Sequence, residues 1–349
     1  MHARSRSTAW LLAGLVLVWQ AFAAPAALAQ GKLKYAGVNL AGAEFNSGKK
    51  PGTLFKDYTY PGASDYAYFA GQGMNIVRLP FLWERLQPTA NGPLDNAQLT
   101  LIKQAVQRAN DNGLIVLLDV HNYAKFNGKI VGKELPASTL ADLWKRLAPV
   151  FAGNAKVMYG LMNEPNNIGS SEWAQVAQAS VDAIRATGAD NVIMVPGNAW
   201  TGAHSWMKAA GASPSNGDAL VGLRDPKNKV IYEVHQYLDA DYSGTKPECV
   251  SATVGAEKLA SFTSWLRKNG KVGFLGEFGA ADNPTCMAAL ENMLKYMQDN
   301  RDVWAGWSYW AAGPWWNQNY PFLVQPDKAG NARPQMKVLS KYARQITGR

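Results

Sequence analysis

The sequence predicts a (β/α)8 barrel, a closed parallel sheet surrounded by helices. Eight short runs of apolar or β-branched residues recur along the chain, and their starts lie roughly 30 to 45 residues apart, as strands of such a barrel do. Segments with apolar residues at three- and four-residue spacing lie between many of these runs, and this spacing is typical of amphipathic helices. Strands that alternate with helices in this way indicate an α/β fold with a parallel sheet.

The runs predicted as strands begin, in order, at Tyr35, Asn75, Leu114, Val157, Asn191, Val230, Val272 and Val303. The helical patterns cover 96–110, 139–150, 172–186, 257–268, 285–300 and 335–345. A doubly wound open sheet is the structural alternative, and it usually carries a glycine-rich phosphate turn after its first strand. Here that turn reads Asn39-Leu40-Ala41-Gly42-Ala43-Glu44, which has no such pattern, so nucleotide binding is disfavoured.

The composition indicates one globular domain behind a cleaved leader. Apolar residues make up 47% and charged residues 17% of the 349 residues, which excludes a disordered or fibrous chain. Residues 1–29 predict a signal peptide: Arg4 and Arg6 precede a short apolar run, and Ala27-Leu28-Ala29 forms a small-x-small cleavage site. We therefore expect residues 30–349 to form a single exported domain, secreted or periplasmic, with no membrane attachment after cleavage.

The charge pattern excludes nucleic acid as a partner. The formal net charge is +9, but lysines and arginines are scattered and form no basic block. No oligomerisation signal is present, so we expect a monomer. Thirteen Trp and 14 Tyr suggest a groove for flat ligands, because large amphipathic rings line binding sites at low conformational cost.

The active site of such a barrel forms where the strands end at their carboxyl side. Polar residues expected at these ends are Glu44, Arg78, His121, Asn122, Asn163, Glu164, Asn198, His235, Tyr237, Glu277 and Trp310. Two are carboxylates, Glu164 after the fourth strand and Glu277 after the seventh. A retaining glycosidase needs two carboxyl groups about 5 to 5.5 Å apart, one as proton donor and one as nucleophile. Opposed strand ends can supply that separation.

The two carboxyl groups need different protonation states, which requires different surroundings. Arg78 near Glu277 would favour the ionised form, whereas Glu164, with no close cation and with aromatic neighbours, would stay protonated. His235 and Tyr237 are two apart on the sixth strand and are expected on the same side. Tyr237 can then donate a hydrogen bond to the nucleophile.

Six motifs lie in order at the predicted strand ends. They are Asn75-Ile76-Val77-Arg78-Leu79-Pro80, Asp119-Val120-His121-Asn122-Tyr123, Leu161-Met162-Asn163-Glu164-Pro165, Val234-His235-Gln236-Tyr237-Leu238, Gly276-Glu277-Phe278-Gly279 and Trp307-Ser308-Tyr309-Trp310. With these motifs, which cover nearly all of the expected mature chain, the sequence resembles glycoside hydrolase family 5, and in particular its secreted endo-β-1,4-glucanases.

The resemblance implies a role for each matching residue. It implies Glu164 as acid/base and Glu277 as nucleophile, with Arg78 and Tyr237 as partners of the nucleophile. It further implies that Asn163 contacts the sugar 2-hydroxyl at the cleavage site, and that His121, His235 and Trp310 contact sugar. No cofactor is implied.

The tryptophans divide into core and groove. Trp304 and Trp307 are expected in the core around the eighth strand, because they precede its end. Trp310, Trp315 and Trp316 lie at or beyond that end and are expected to stack on sugar rings. Further subsite candidates are Trp173, Trp200 and Trp206.

Other side chains are given supporting or structural roles. Asp119 and Glu233 share strand parity with His121 and His235, so we expect them to support the site from inside the barrel. Export favours a disulfide between Cys249 and Cys286, with two free buried cysteines as the alternative. No metal is expected, because His-x-His after the first strand and His-Glu-x-x-His are both absent, and no Gly-x-Ser-x-Gly turn supports a serine hydrolase.

These features predict a secreted retaining endo-β-1,4-glucanase that acts on cellulose or a soluble β-glucan. A β-mannanase or a mixed-linkage β-glucanase on the same machinery is the nearest alternative, and transglycosylation stays open. An alternative of another class is a non-catalytic polysaccharide-binding protein. That alternative predicts the loss of a carboxylate or of Arg78, and the sequence retains all three residues.

Overall fold

The computed structural model describes residue 2 and residues 33–209 and 211–348, and the predicted signal peptide lies outside these ranges except for residue 2. The strands are β1 (Tyr35–Leu40), β2 (Ile76–Phe81), β3 (Ile115–Val120), β4 (Lys125–Phe126), β5 (Lys129–Ile130), β6 (Val157–Gly160), β7 (Ile193–Pro196), β8 (Val230–His235), β9 (Gly273–Glu277) and β10 (Trp304–Ala312). β4 and β5 form a separate antiparallel hairpin. The other eight strands form a closed barrel in which β10 pairs with β1, and adjacent barrel strands are parallel. The predicted barrel and its eight strands are confirmed.

The helices are α1 (Ala63–Gly71), α2 (Trp83–Leu86), α3 (Asn96–Asp111), α4 (Ser138–Phe151), α5 (Ser170–Ala186), α6 (Asn216–Leu220), α7 (Val254–Asn269), α8 (Pro284–Asp299) and α9 (Met336–Thr347). All six predicted helices are present, with ends shifted by up to three residues. Local signals set several ends. The side chains of Asp95 and Asn283 accept the Gln98 and Cys286 amides at the starts of α3 and α8, and Gly270, with φ of 60°, ends α7.

The regular alternation of strand and helix fails between β7 and β8. In the described residues of this segment, the chain forms only a 3-10 turn, Ala203–Ser205, and the five-residue α6. Glycine and proline recur here, at Gly197, Gly202 and Pro214, and both residue types disfavour a continuous helix. The sequence does not predict the short helices α1, α2 and α6 or the β4–β5 hairpin. These elements have too few residues to show the repeating spacing of apolar residues that marks a helix or a strand.

The barrel interior has an apolar floor below a polar layer. Inward side chains from seven strands form one buried cluster: Ile76, Leu117, Met158, Met194, Ile231, Phe274 and Ala305. Two residues further along three of these strands come Arg78, Asp119 and Glu233, each at most 1% exposed. Since residues two apart share a face of a strand, these charged groups lie directly above the apolar floor, on the side of the active-site mouth.

Two predicted sugar-binding tryptophans belong to the core instead. Trp173 and Trp206 are fully buried, so the prediction that they form subsites is wrong. Trp173 lies on the inner stripe of α5 and donates its indole N–H to the Pro196 carbonyl at 2.7 Å. Trp206 packs edge-on against Phe262, with ring centroids 4.8 Å apart. Trp304 and Trp307 are buried as expected.

The predicted disulfide is present between Cys249 and Cys286, whose Cα atoms lie 5.2 Å apart. Cys249 lies in the loop after β8, and Cys286 lies in the first turn of α8, directly after the β9 loop. The bond therefore ties together the loops that follow the sixth and seventh barrel strands. In the described part of the chain, no helix is long and apolar enough to cross a bilayer.

Candidate active site

Glu277 ends strand β9 inside the barrel mouth, where it is 4% exposed. Its Oε1 accepts a hydrogen bond from Nη1 of Arg78 at 2.9 Å, and its Oε2 accepts one from the Tyr237 hydroxyl at 2.8 Å. One donor is cationic and each oxygen has a partner, so the ionised carboxylate is held in one orientation. Burial, followed by the Glu277 charge, raises the pKa of Tyr237 well above its usual range, so Tyr237 stays a neutral donor.

Arg78 organises the polar layer beneath Glu277. Its guanidinium lies 3.1 Å from Asp119 and 3.0 Å from Glu233, and its Nη2 donates to the Asn163 side-chain oxygen at 2.8 Å. Burial opposes the charge of Arg78, but the carboxylates of Asp119, Glu233 and Glu277 outweigh burial and raise its pKa. Arg78 therefore stays cationic and lies beside Glu277, where it was expected.

Glu164 lies in the loop after β6, with a backbone φ of 43°. Residues other than glycine seldom adopt this left-handed backbone conformation, and those that do cluster at functional sites. Burial, as the largest cause, raises the pKa of Glu164, and the Glu277 charge acts in the same direction, while the hydrogen bond from His235 opposes both. Glu164 is thus the carboxyl group that favours its protonated form.

His235, the last residue of β8, stands between the two carboxylates. Its Nδ1 lies 2.8 Å from Oε1 of Glu164 and 3.6 Å from Oε2 of Glu277. Burial lowers the His235 pKa, but the Glu277 charge and the hydrogen bonds to Glu164 and Glu233 reverse this and raise it to about 10. The expectation that Glu164 lacks a close cation is therefore wrong. Strand β8 also ends before Tyr237, which points at Glu277 from the following loop.

The carboxylates are close enough for a double displacement. One side-chain oxygen of Glu164, one of Glu277 and a ring nitrogen of His235 lie within 4.8 Å of one another. This separation is near the ~5 to 5.5 Å of retaining glycosidases and below the ~6.5 to 9.5 Å of inverting ones. The same three groups are of ligand types that can hold a metal ion, but the hydrogen bond between His235 Nδ1 and Glu164 Oε1 already engages one ligand atom of each residue.

His121 and Asn163 form a second hydrogen-bonded group, next to Arg78. The His121 Nδ1 lies 2.7 Å from Asp119, and its Nε2 lies 3.3 Å from the side-chain nitrogen of Asn163. Since the Asn163 oxygen accepts from Arg78, its amide is fixed in one orientation. The His121 ring stacks on Trp310 at 5.6 Å between centroids, with the planes 18° apart.

Aromatic rings continue from Trp310 along one side of the mouth. Trp316 meets Trp310 edge-on at 5.9 Å and stacks on Tyr320 at 4.4 Å. Phe45, from the loop after β1, approaches Trp316 edge-on at 5.3 Å. Trp315, which precedes Trp316 in the chain, is 37% exposed. We call Phe45, Trp310, Trp315, Trp316 and Tyr320 the aromatic wall.

A cavity of about 620 Å³ lies beside Glu164, and no residue of the aromatic wall lines it. Its lining includes Glu164, Tyr123, Trp200, His204 and Tyr242. We call this space the loop cavity. Trp200 is 56% exposed, and Tyr123, Trp200 and Tyr242 all have left-handed backbone, with φ of 55°, 55° and 59°. Of these residues the sequence suggested only Trp200 and Glu164. Tyr123 ends the motif that begins at Asp119, whereas Tyr242 and His204 lie outside all six motifs.

Glu44, which the sequence placed at the end of the first strand, lies in the loop that follows β1. It is 8% exposed, and one carboxyl oxygen accepts the Gly42 amide at 2.8 Å. Burial, the largest cause, raises the pKa of Glu44 to about 7, against the opposing charge of His121. Asn122 instead supports the loops, because its side chain bonds the Trp83 amide and Glu84.

Comparison with known proteins gives a consistent set of relatives. The sequence model of the cellulase family, glycosyl hydrolase family 5, matches residues 35–313. Endoglucanase gh5-1 of Neurospora crassa is 41% identical over 302 residues, which cover 86% of this chain and 75% of that protein. A solved endo-beta-1,4-glucanase of Xanthomonas axonopodis pv. citri is 58% identical, with a TM-score of 0.89 over 90% of this chain and 100% of that one.

A further solved relative carries a ligand. XacCel5A in complex with cellopentaose is 61% identical to this chain, with a TM-score of 0.88, and the match covers 89% of this chain and 99% of that one. The similarity in sequence and structure therefore extends over the whole barrel and every strand end described above.

Proposed function

The chain belongs to the cellulase family, glycosyl hydrolase family 5, and from this membership we propose that it is an endo-β-1,4-glucanase that retains configuration at the anomeric carbon. The observation that carries the proposal is the pair Glu164 and Glu277, within 4.8 Å of each other in unlike surroundings. Glu277 faces Arg78 and Tyr237, while burial favours protonated Glu164. Such a pair supplies a nucleophile and an acid from one residue type.

In the first step, Glu164 donates its proton to the glycosidic oxygen while Glu277 attacks the anomeric carbon. The bond from that carbon to the oxygen breaks, the leaving chain departs as an alcohol, and a glycosyl–Glu277 ester forms. Tyr237 and Arg78 hold the attacking oxygens in place before the reaction. Asn163, fixed by Arg78, can bind the sugar 2-hydroxyl next to the reacting carbon.

In the second step, Glu164, now ionised, removes a proton from water as the water oxygen attacks the same carbon. The ester bond to Glu277 breaks, the sugar is released with its original configuration, and Glu164 is protonated again. His235 lies 2.8 Å from Glu164, and the neighbouring carboxylates raise its pKa to about 10, so a positive charge faces Glu164 when this carboxyl group is ionised.

The two sides of the mouth support cleavage inside a polymer. Because Glu164 protonates the leaving oxygen, the loop cavity beside it would receive the leaving part of the chain. The aromatic wall would bind the part that becomes attached to Glu277, since Trp310 lies against His121 and thus next to Asn163. A cleft that holds sugars on both sides of the reacting bond suits an endo-acting enzyme. XacCel5A, a relative, has been solved with cellopentaose bound.

We also propose that residues 1–29 are a signal peptide and that residues 30–349 are secreted. Support comes from the charged start, the apolar run and the small-x-small site. The Cys249–Cys286 disulfide suits an oxidising compartment.

The viscosity of carboxymethylcellulose over time tests the activity. We expect a rapid fall with the mature protein and no fall with Glu277→Gln. Glu291→Gln, which removes a carboxylate that pairs with Lys341 far from the mouth, should behave as the wild type. Proton NMR of the first products from cellopentaose should show the β-anomer. If folded wild-type protein leaves the viscosity unchanged, the endoglucanase proposal fails, and mannan, mixed-linkage glucan and a binding role come next.

A further inference from the structure

Glu233 is a buried carboxylate that the mechanism above does not use. It lies on β8 and is 1% exposed. Its Oε1 lies 3.3 Å from Nε2 of His235 and 3.0 Å from Nε of Arg78. The contact to Arg78 is an ion pair and not an aligned hydrogen bond, because Nε has no hydrogen-bond partner among the described residues. A single carboxylate therefore touches the neighbours of both catalytic glutamates.

The His235 ring links Glu233 to Glu164. Its Nε2 faces Glu233, and its Nδ1 faces Glu164 at 2.8 Å. The two ring nitrogens are rigidly connected, so a partner that fixes one of them also fixes the direction and the protonation of the other. With Glu233 as acceptor at Nε2, the imidazole keeps a proton there and can present a second one at Nδ1 to Glu164. Glu233, His235 and Glu164 thus form a continuous chain of polar contacts.

The strand next to β8 leaves space for this carboxylate. Gly276 lies on β9 directly before Glu277, and a Cβ atom at this position would overlap Oε1 of Glu233. An alanine here must therefore displace the Glu233 carboxyl group. The Gly276 backbone does not lie in the left-handed region, so space and not conformation calls for glycine.

We propose that Glu233 is a positioning residue for both catalytic carboxylates, acting on Glu164 through His235 and on Glu277 through Arg78, and that glycine is required at position 276 to admit it. The proposal rests on the glycosidase function proposed above. Its main route is His235, because that contact continues directly to the proton donor. When Glu164 gives up its proton, the new carboxylate faces an imidazolium that Glu233 holds in place and keeps charged.

Two substrates separate this role from a merely structural one. Cellopentaose has a poor leaving group that needs the proton of Glu164, whereas 2,4-dinitrophenyl β-cellobioside has a leaving group that needs none. For Glu233→Gln we expect kcat on cellopentaose to fall by at least ~10-fold, a part of the ~10²- to 10⁴-fold that general acid catalysis contributes. The first turnover of the dinitrophenyl substrate should change by less than about threefold, because only the Arg78 contact affects it.

The matched control is Asp225→Asn. This side chain is also buried and paired with an arginine, Arg185 at 2.7 Å, but it lies outside the site. The control should lower the melting temperature and leave kcat on both substrates unchanged. Equal losses on the two substrates by Glu233→Gln would overturn the route through His235, and wild-type rates on both would overturn the whole proposal. If the wild type itself cleaves neither substrate, the proposed function fails instead.

Gly276 gives a second and independent test. Gly276→Ala alone should reproduce the selective loss on cellopentaose, because its methyl group displaces Glu233. In a Glu233→Ala background the space is already free, so the same substitution should change kcat by less than about twofold. Such non-additivity indicates direct contact between two positions. If Gly276→Ala costs the same factor in both backgrounds, position 276 does not act through Glu233. The comparison of Gly276→Ala in the two backgrounds also tests the proposal if Glu233→Gln fails to fold, because Glu233→Ala removes the carboxylate without leaving an amide in its place.

Discussion

Carboxylate oxygens of Glu277 and Glu164 lie within 4.8 Å of each other, but the two residues are positioned by different kinds of backbone. Glu277 ends a barrel strand, and its two oxygens are bound by Arg78 of β2 and by Tyr237 of the loop directly after β8. Glu164 lies on a loop in left-handed backbone, beside a cavity whose other walls, Trp200 and Tyr242, have the same strained conformation. The backbone of the nucleophile is therefore placed by a strand, and the backbone of the acid by a turn.

This difference assigns distinct tasks to the two halves of the site. Side chains on strands move little, so the barrel can hold charges at hydrogen-bonding distance. Loops tolerate change in sequence and length, so the acid side can adapt to different leaving chains. Substitutions in the buried polar layer of the strand side should therefore affect stability and chemistry together, whereas those of the aromatic residues that line the loop cavity should affect substrate use alone.

Arg78→Ala should have the largest effect. It leaves Asp119, Glu233 and Glu277 buried together without their shared cation, and loss of one partner from a buried ion pair costs ~3 to 5 kcal/mol. We expect a large drop in the urea midpoint and no detectable hydrolysis. Arg267→Ala, which removes a half-exposed pair with Asp302, should cost ~1 kcal/mol or less. Similar urea midpoints for the two variants would show that the polar layer is not essential to the fold.

Tyr237→Phe should lower stability as well as activity, but by less than Arg78→Ala does. It removes one hydrogen bond to a charged oxygen of Glu277, which contributes about 1.5 to 3 kcal/mol. We expect kcat to fall roughly 10- to 100-fold for the steps in which Glu277 is the nucleophile or the leaving group. Tyr159→Phe is the control, because it removes a buried hydrogen bond to the Ala148 carbonyl outside the mouth. A kcat within twofold of wild type for Tyr237→Phe would contradict the orienting role.

The strand side is also the half that sequence reasoning predicted well. The β-branched runs locate the strands, and the parity of residues two apart places Asp119 and Glu233 inside the barrel. Parity says nothing about residues after a strand ends, which is why Tyr237 was assigned to the wrong element. The pairing of His235 with Glu164 joins β8 to a loop after β6, and no local pattern contains that contact.

The loop side was predicted less well for a physical reason. A tryptophan after a strand can turn outward, as Trp200 does, or inward onto a neighbouring helix, as Trp206 does. Both are equally aromatic in the sequence, and the choice depends on the packing of Phe262 and Trp265 from α7. The left-handed conformations of Tyr123 and Tyr242 likewise depend on tertiary contacts and have no glycine to announce them.

The pH profile measures how firmly the acid side holds its proton. Burial raises the pKa of Glu164, so its protonated form persists at pH values above the usual range of a glutamic acid. Activity on cellopentaose should be retained there, and kcat/KM should fall about tenfold per pH unit once the pH rises past the raised pKa. The dinitrophenyl substrate, which needs no proton, should lack this descending limb in its first step. The same limb on both substrates would assign it to another group.

The smallest expected effect tests whether the loop cavity binds the leaving chain. Trp200→Ala removes an exposed indole; at ~25 cal/mol per Å² and ~40 Å² covered by a sugar ring, the loss is about 1 kcal/mol, or fivefold. The loss should appear in kcat/KM on cellopentaose and not on 2,4-dinitrophenyl β-cellobioside, because the latter places no sugar beyond Glu164. Trp315→Ala, on the aromatic wall, should affect long substrates without this dependence on the leaving group. If Trp200→Ala weakens both substrates equally, the cavity does not receive the leaving chain, and the two sides of the cleft do not differ as proposed.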